Sequence, residues 1–134
     1  MKHSGYIYRG ASGVARTVRD LTAQQLNAMQ LVDLPIRVEH SGADVTVGRV
    51  TRQHAVDGRG DAMIEFELNK DPSGWAVDEA SRRGALRELS LKHLADVRDD
   101  GAVTRVRPTE VSVVIKGRCV ERSRRAPRVR VFFL

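Results

Sequence analysis

Cysteine is almost absent from this sequence. The 134 residues include a single cysteine, Cys119. One cysteine excludes an internal disulfide and any zinc site that needs several cysteines. Chains without disulfides are typical of reducing compartments, so we expect an intracellular protein in which Cys119 is a small packing residue.

Long apolar runs and aromatic residues are also scarce. The longest apolar runs cover only a few residues, such as Val113–Ile115, whereas a membrane-spanning helix needs about 20. No apolar stretch follows the first five residues, so we expect no secretory signal and no membrane partner. Aromatic residues make up 4% of the chain, which argues against a surface that binds nucleic acid by stacking bases.

Charge is abundant but unevenly distributed. The chain carries 23 basic and 17 acidic residues, a formal net charge of +6. From Lys116 to Leu134 there are seven basic residues and one acid, Glu121, so the whole excess lies there and Met1–Ile115 is neutral. Such a basic tail predicts either a contact with nucleic acid or an acidic protein, or simply a solvated end.

Two segments carry helix-start signals. Leu21–Leu26 combines a capping box at Thr22 and Gln25 with a hydrophobic staple, and predicts a helix to about residue 30. Asp71-Pro72-Ser73-Gly74 predicts a second helix, with Trp75 in the core and an end at Gly84.

The rest of the chain reads as short strands. Alternating apolar and polar residues predict strands at Gly5–Arg9, Leu34–His40, Val45–Thr51, Ala62–Leu68, Leu86–His93, Val103–Arg107, Glu110–Lys116 and Arg128–Phe133. Because closure removes exposed strand edges, we predict an α+β fold: a small closed antiparallel β-barrel of about seven strands with two or so flanking helices.

Three polar residues on these strands have the chemistry of a hydrolase. His40 ends an apolar strand face, Ser90 lies on an otherwise apolar strand, and Glu110 begins another strand. A serine nucleophile needs a base within reach and a third group that orients the base. A residue of each of these types more often has a structural role than a catalytic one. The spacing of the three in the sequence does not by itself make a catalytic role the better explanation.

A resemblance to a protein family makes these three residues stronger catalytic candidates. The stretch Leu34–Lys116 resembles the prohead proteases, the capsid maturation proteases of tailed phages, which are similar in fold to the herpesvirus assemblins. Three motifs occur in the family's order: PIRVEH followed by VGRV, GALRELSLKH, and TEVSVV. The segment GWAVDEA lies where the family has its helix before the nucleophile strand.

The resemblance implies roles for individual residues. Ser90 would be the nucleophile, His40 the general base, and Glu110 the residue that holds the imidazole in the right tautomer. Gly117 or Arg118 would stabilise the oxyanion, through a backbone N–H or through a water that Arg118 holds. The histidines have no paired spacing that would support a metal site, and we expect no cofactor.

The resemblance also implies organisation and partners. We expect a single protease-like domain over residues 1–134: an N-terminal strand and helix at 1–33, a catalytic barrel core at 34–118 and a basic segment at 119–134. The activity would be cleavage of scaffold and capsid proteins during procapsid maturation. It would take place where capsids assemble inside the host cell, in the cytoplasm or nucleus. We also expect a homo-oligomer, and specifically a dimer, because the assemblins are active as dimers.

Two alternatives stay open at this point. The chain departs from the family pattern at Ser41, where the family has Asp, and at Lys92-His93, where it has Gly and an aromatic residue. These departures favour a catalytically inactive barrel that serves as an assembly or scaffold module. The basic tail favours a nucleic-acid-binding module, whose affinity would fall steeply with salt.

Overall fold

A computed structural model gives the architecture. It describes the backbone of residues 1–13, 20–38, 45–115 and 129–130, and the side chains of these residues except 86–88, 114–115 and 129–130. The elements are β1 (Lys2–Tyr8), α1 (Ala23–Ala28), β2 (Pro35–Val38), β3 (Thr46–Gln53), β4 (Ala62–Leu68), α2 (Pro72–Arg82), β5 (Leu86–Val97), β6 (Val103–Ile115) and β7 (Val129–Arg130). The protein is therefore mostly β, with two helices in the described part of the chain.

Helix α1 begins at the predicted capping box. The Gln25 N–H donates to Thr22 Oγ1 over 3.1 Å, and the Thr22 N–H donates to Gln25 Oε1 over 2.9 Å. Leu21 and Leu26 are both buried, as the staple predicts. The helix ends at Ala28, two residues earlier than predicted.

Helix α2 is confirmed, but Trp75 is not in the core. Asp71 caps the helix by accepting the Gly74 N–H over 2.8 Å, and Gly84 follows the helix with φ +71°. Trp75 is 55% exposed. The prediction failed because the buried stripe of α2 runs through Gly74, Val77, Asp78, Ala80 and Ser81, and position 75 lies beside that stripe.

The strands form one sheet in the order β1-β4-β3-β2-β6-β5-β7. Most neighbours are antiparallel, but β2 and β6 are parallel, with Ile36 opposite Val111 and Val38 opposite Val113. The all-antiparallel prediction is therefore wrong. A parallel pair needs a long connection, and the chain between β2 and β6 supplies one with two strands, a helix and β5.

The sheet curls into a half-barrel and not a closed seven-stranded barrel. Curvature brings β1 near β5 and β7. Within the described residues, however, no ladder joins β1 to either strand. The described part of β7 is two residues long and pairs with residues 88 and 89 of β5, and this part makes no ladder with β1 that would close the barrel. The prediction of complete closure is wrong for this reason.

Strands β5 and β6 form a long ribbon, which replaces the three shorter strands expected from the sequence. Lys92 pairs with Glu110 and His93 with Pro108, so Thr109 is an extra residue on β6. Its hydroxyl donates to the Lys92 carbonyl over 3.1 Å. Pro108 lacks an N–H and is tolerated in a strand at such a bulge, so it does not end β6 as the sequence analysis expected.

The core lies inside the curve of the sheet. Its side chains include Ile36, Val50, Phe66, Leu89 and Val113, none of which is exposed. Burying each such side chain contributes about 1.5–3 kcal/mol. Neither of the helices in the described residues is long and apolar enough to cross a membrane.

Candidate active site

The candidate site lies where β2, β6 and β5 run side by side. Strand β6 is the middle one, parallel to β2 and antiparallel to β5. Arg37, Ser112 and Ser90 are paired across the three strands and form one row of the sheet, which we call a register row. The sheet therefore aligns the proposed nucleophile with Ser112 on the neighbouring strand β6 and with Arg37 on β2, the strand beyond it.

The two faces of this three-stranded region differ in character. Apolar rows Ile36–Val111–Leu91 and Val38–Val113–Leu89 flank the serine row on both sides. Because side chains alternate along a strand, these rows point to the core and the serine row points to the opposite face. The polar row is nevertheless well covered, since Ser90 is 7% exposed and Ser112 is 0% exposed.

Glu110 lies on the same face as Ser112, two residues earlier on β6. The Ser112 hydroxyl donates to Glu110 Oε2 over 3.4 Å. Glu110 pairs across the ribbon with Lys92, so it is the diagonal neighbour of Ser90. Diagonal neighbours in an antiparallel pair are about 7–8 Å apart, a distance that leaves room for a third side chain between them.

The sequence-predicted site residues have different outcomes. Ser90 and Glu110 share one face of adjacent strands, as alternation along Leu86–His93 and Glu110–Lys116 predicted. His40, Gly117 and Arg118 lie outside the described residues. In the sequence, Gly117 comes two residues after the end of β6, and His40 comes two residues after Val38, the last residue of β2. The alternation predicted for Leu34–His40 puts His40 on the apolar face with Ile36 and Val38, opposite the face of Ser90, so the triad requires the chain to leave that alternation after Val38. The roles of all five residues, Ser90 and Glu110 included, remain predictions.

Two residues near Ser90 were missed as site residues. Arg37 and Ser112 are its neighbours in the same register row. Alternation along each strand puts Arg37 on the face opposite Ile36, and Ser112 on the face opposite Val111. The sequence therefore indicates that both side chains lie on a polar face. The sequence could not show that these two residues align with Ser90, because register between distant strands is not a local property.

The described residues contain two histidine–carboxylate pairs, His54 with Glu65 over 3.0 Å and His3 with Asp78. His3 Nε2 is 2.9 Å from Asp78 Oδ1, and Arg82 Nε is 3.0 Å from Asp78 Oδ2. The His3 ring stacks on Phe66 with centroids 5.5 Å apart. This cluster joins β1 to α2, and we interpret it as a structural contact.

The Arg59-Gly60-Asp61 tripeptide is part of a tight loop. The N–H groups of Arg59 and Asp61 both donate to Asp57 Oδ1, and these bonds hold the pKa of Asp57 below its ordinary value of 3.8. Gly60 is buried with φ +81°, and Asp61 Oδ1 accepts the Gly10 N–H. These hydrogen bonds and the conformation of Gly60 give the three residues a structural role in forming the loop.

Within residues 1–13, 20–38, 45–115 and 129–130, no group of three or more His, Cys, Asp or Glu side chains could hold a metal ion.

A solved structure resembles the fold of this protein. The chain is similar in fold to a herpesvirus protease. A room-temperature crystal structure of the Kaposi's sarcoma-associated herpesvirus protease, in complex with an allosteric inhibitor, superposes with a TM-score of 0.51. The match covers 98% of this chain and 75% of that chain, at 20% sequence identity. No protein-family model and no curated protein sequence matches the chain. The similarity therefore concerns the fold.

Proposed function

We propose that this protein is a serine endopeptidase that cleaves scaffold and capsid proteins during viral capsid maturation. The observation that carries the proposal is the position of Ser90. It lies on the polar face of β5, beside Glu110 of β6, in a fold similar to that of a herpesvirus protease. The motif resemblance assigns the nucleophile to the same serine.

The mechanism follows serine protease chemistry. Ser90 Oγ attacks the scissile carbonyl while His40 takes its proton, and the C–N bond breaks as His40 gives that proton to the leaving amine. Water, deprotonated by His40, then attacks the acyl-enzyme and releases the carboxylic acid product together with free Ser90. Glu110 orients the imidazole and stabilises its protonated form.

The oxyanion requires its own hydrogen-bond donors. In this proposal a backbone N–H of Gly117 or Arg118, or a water held by Arg118, supplies them. Removing one such donor typically costs about 2.7–4 kcal/mol in transition-state stabilisation.

The setting of the reaction is part of the proposal. The substrates would be scaffold and capsid proteins inside the assembling procapsid, in the cytoplasm or nucleus of the host. A homodimer would be the working state, and the basic tail would contact an acidic protein or nucleic acid. These statements rest on the family resemblance and on the charge of residues 116–134.

Active-site labelling tests the nucleophile. We expect a fluorophosphonate probe to modify Ser90, and peptide mapping to locate the adduct there. Ser90→Ala should lose both labelling and cleavage of a scaffold-protein substrate. Ser81→Ala is a matched control, because Ser81 is similarly buried, at 5% exposure, but lies on α2.

The same experiment can reject the proposal. An unlabelled protein that leaves scaffold and capsid substrates intact would instead support an inactive assembly module. Equal labelling of the wild type and Ser90→Ala would place any nucleophile elsewhere.

A further inference from the structure

Ser112 is a polar residue in an unusual place. It is fully buried at the centre of the sheet, between Val111 and Val113, which are equally buried. The residues enriched in strands are β-branched and aromatic, so an apolar β-branched residue at this position would fit a buried strand better. A buried hydroxyl costs free energy unless it makes a hydrogen bond. The contact that Ser112 makes therefore indicates why the serine is there.

That contact is with Glu110. The hydroxyl of Ser112 is 3.4 Å from Glu110 Oε2, and the hydroxyl is the donor because an ionised carboxylate can only accept. The two side chains are two residues apart on β6 and so point to the same face. Ser112 thus contacts one oxygen of the carboxylate that the proposed function assigns to the triad, at 3.4 Å, which is longer than the usual range of about 2.5–3.0 Å for an O–H···O hydrogen bond.

Ser112 also adjoins the nucleophile. It is the direct cross-strand partner of Ser90, and Arg37 is its partner on the other side. Directly opposed residues in an antiparallel pair have Cβ atoms about 4.5–5.5 Å apart. Ser112 is therefore next to the nucleophile, while its hydrogen bond is directed along the strand to Glu110.

We propose that Ser112 is a positioning residue for the protease reaction. Its hydroxyl holds the Glu110 carboxylate in the orientation that Glu110 needs to bind the imidazole of His40, and it does not touch the substrate. This inference rests on the proposed function, since it assigns a role to Ser112 through Glu110. A carboxylate that rotates away would leave the imidazole in the wrong tautomer for part of the time.

A double-mutant cycle tests the coupling. Ser112→Ala, Glu110→Gln and the double variant are compared with wild type for kcat and KM on a scaffold-derived peptide, and for the rate of fluorophosphonate labelling. We expect Ser112→Ala to lower kcat by about tenfold or more, as loss of a hydrogen bond to a charged group does, with KM unchanged. In the Glu110→Gln background the same substitution should have little further effect.

Two further variants separate positioning from folding. Ser112→Cys keeps the side chain's volume but is a weak donor, so it should resemble Ser112→Ala in kcat even if the alanine variant unfolds. Ser112→Thr keeps the hydroxyl and should restore most of the activity. Ser81→Ala should behave as wild type in every assay.

The outcomes distinguish the two proposals. If Ser90 is labelled but Ser112→Ala and Ser112→Cys react at the wild-type rate, the proposal for Ser112 is wrong. The proposed protease function is then unaffected. Multiplicative losses in the double variant would also overturn the proposal for Ser112, because Ser112 would then act independently of Glu110. If wild-type Ser90 is not labelled, both proposals fail.

Discussion

Ser90 of β5 and Ser112 of β6 lie directly opposite each other on the polar face of the sheet, and both are almost fully buried. Apolar rows flank this pair on both sides in the register. The relationship explains how a sheet with an apolar core can carry a polar row on its other face: the strands that build the core also align that row.

Glu110→Gln tests the third member of the proposed triad. The amide keeps the shape of the side chain but lacks the negative charge that holds and stabilises the imidazolium. We expect kcat to fall about 10²–10⁴-fold, since the comparable change in a serine protease triad costs about 10⁴. The measurement is peptide hydrolysis together with fluorophosphonate labelling.

Glu79→Gln is the control for Glu110→Gln. Glu79 lies on α2, where it is 66% exposed and 3.9 Å from the Arg83 guanidinium. Exposed ion pairs of this kind contribute little to stability, so Glu79→Gln should keep full activity. Equal activities of the two variants would exclude Glu110 from the mechanism.

Gly48→Ala tests a close backbone approach between β3 and β4. A Cβ at position 48 would collide with the carbonyl oxygen of Glu67 on the neighbouring strand. Because the obstacle is backbone, the two strands must separate locally, and we expect unfolding to become easier by about 1–3 kcal/mol. Urea denaturation followed by circular dichroism measures the change.

Gly58→Ala is the matched control for Gly48→Ala. Nothing lies within 4 Å of a Cβ at position 58. This variant should be as stable as the wild type or slightly more so, since alanine restricts the unfolded chain. If Gly48→Ala is equally harmless, the tight pairing of β3 with β4 is wrong.

The sequence predicts local features well and long-range pairing poorly. Capping residues such as Thr22 and Asp71 act on atoms three residues away, so their helices were foreseen. The parallel pairing of Ile36 with Val111 joins positions far apart in the chain, and no local pattern encodes it. Trp75 shows a further limit of prediction from sequence. A large aromatic side chain favours burial, but whether it is buried depends on which face of the helix it occupies.

The candidate site follows the same division. Alternation alone put Ser90 and Glu110 on the polar faces of their strands, and the structure agrees. The partnership of Ser112 with Glu110 needed coordinates, because it depends on side-chain rotamers as well as on strand direction. The assignment of roles came from the motif resemblance, which the fold similarity to a herpesvirus protease supports at the level of architecture.

Asp71→Ala tests the cap that starts α2, and its effect should depend on pH. The Gly74 N–H and the Ser73 hydroxyl donate to the Asp71 carboxylate, and these bonds hold its pKa below the ordinary value of 3.8. A group whose pKa is lowered by folding stabilises the protein above its unfolded pKa, and this contribution disappears as pH falls through the folded pKa.

We therefore expect Asp71→Ala to lower Tm at pH 7. The difference from wild type should shrink as pH falls below 3.8, where the wild-type carboxylate also loses its charge. Asp71→Asn keeps an oxygen that can cap the helix but lacks the charge, so at pH 7 its Tm should lie between those of the wild type and Asp71→Ala. Thermal melts of the three proteins between pH 2.5 and pH 7 measure this, and a pH-independent loss would show that the charge of Asp71 plays no part.

The basic tail predicts salt-dependent binding to polyanions. Residues 116–128 lie outside the described part of the structure, but β7 at 129–130 pairs with β5, so deleting the tail would also remove a strand. Charge substitution is therefore the cleaner test. Replacing Arg122, Arg124 and Arg125 with Gln should weaken binding to single-stranded DNA and reduce the slope of log K against log salt by about 0.7 for each lost contact.

Three arginines in the rest of the chain provide a control of equal charge. Arg49, Arg82 and Arg83 are also largely exposed, but each lies within 4 Å of an acidic side chain: Asp33, Asp78 and Glu79, respectively. Because those acids already neutralise them locally, their replacement by Gln should change DNA binding much less than the tail substitutions. Equal losses in the two triple variants would mean that net charge alone governs binding, and the tail would then have no special role as a contact for acidic partners.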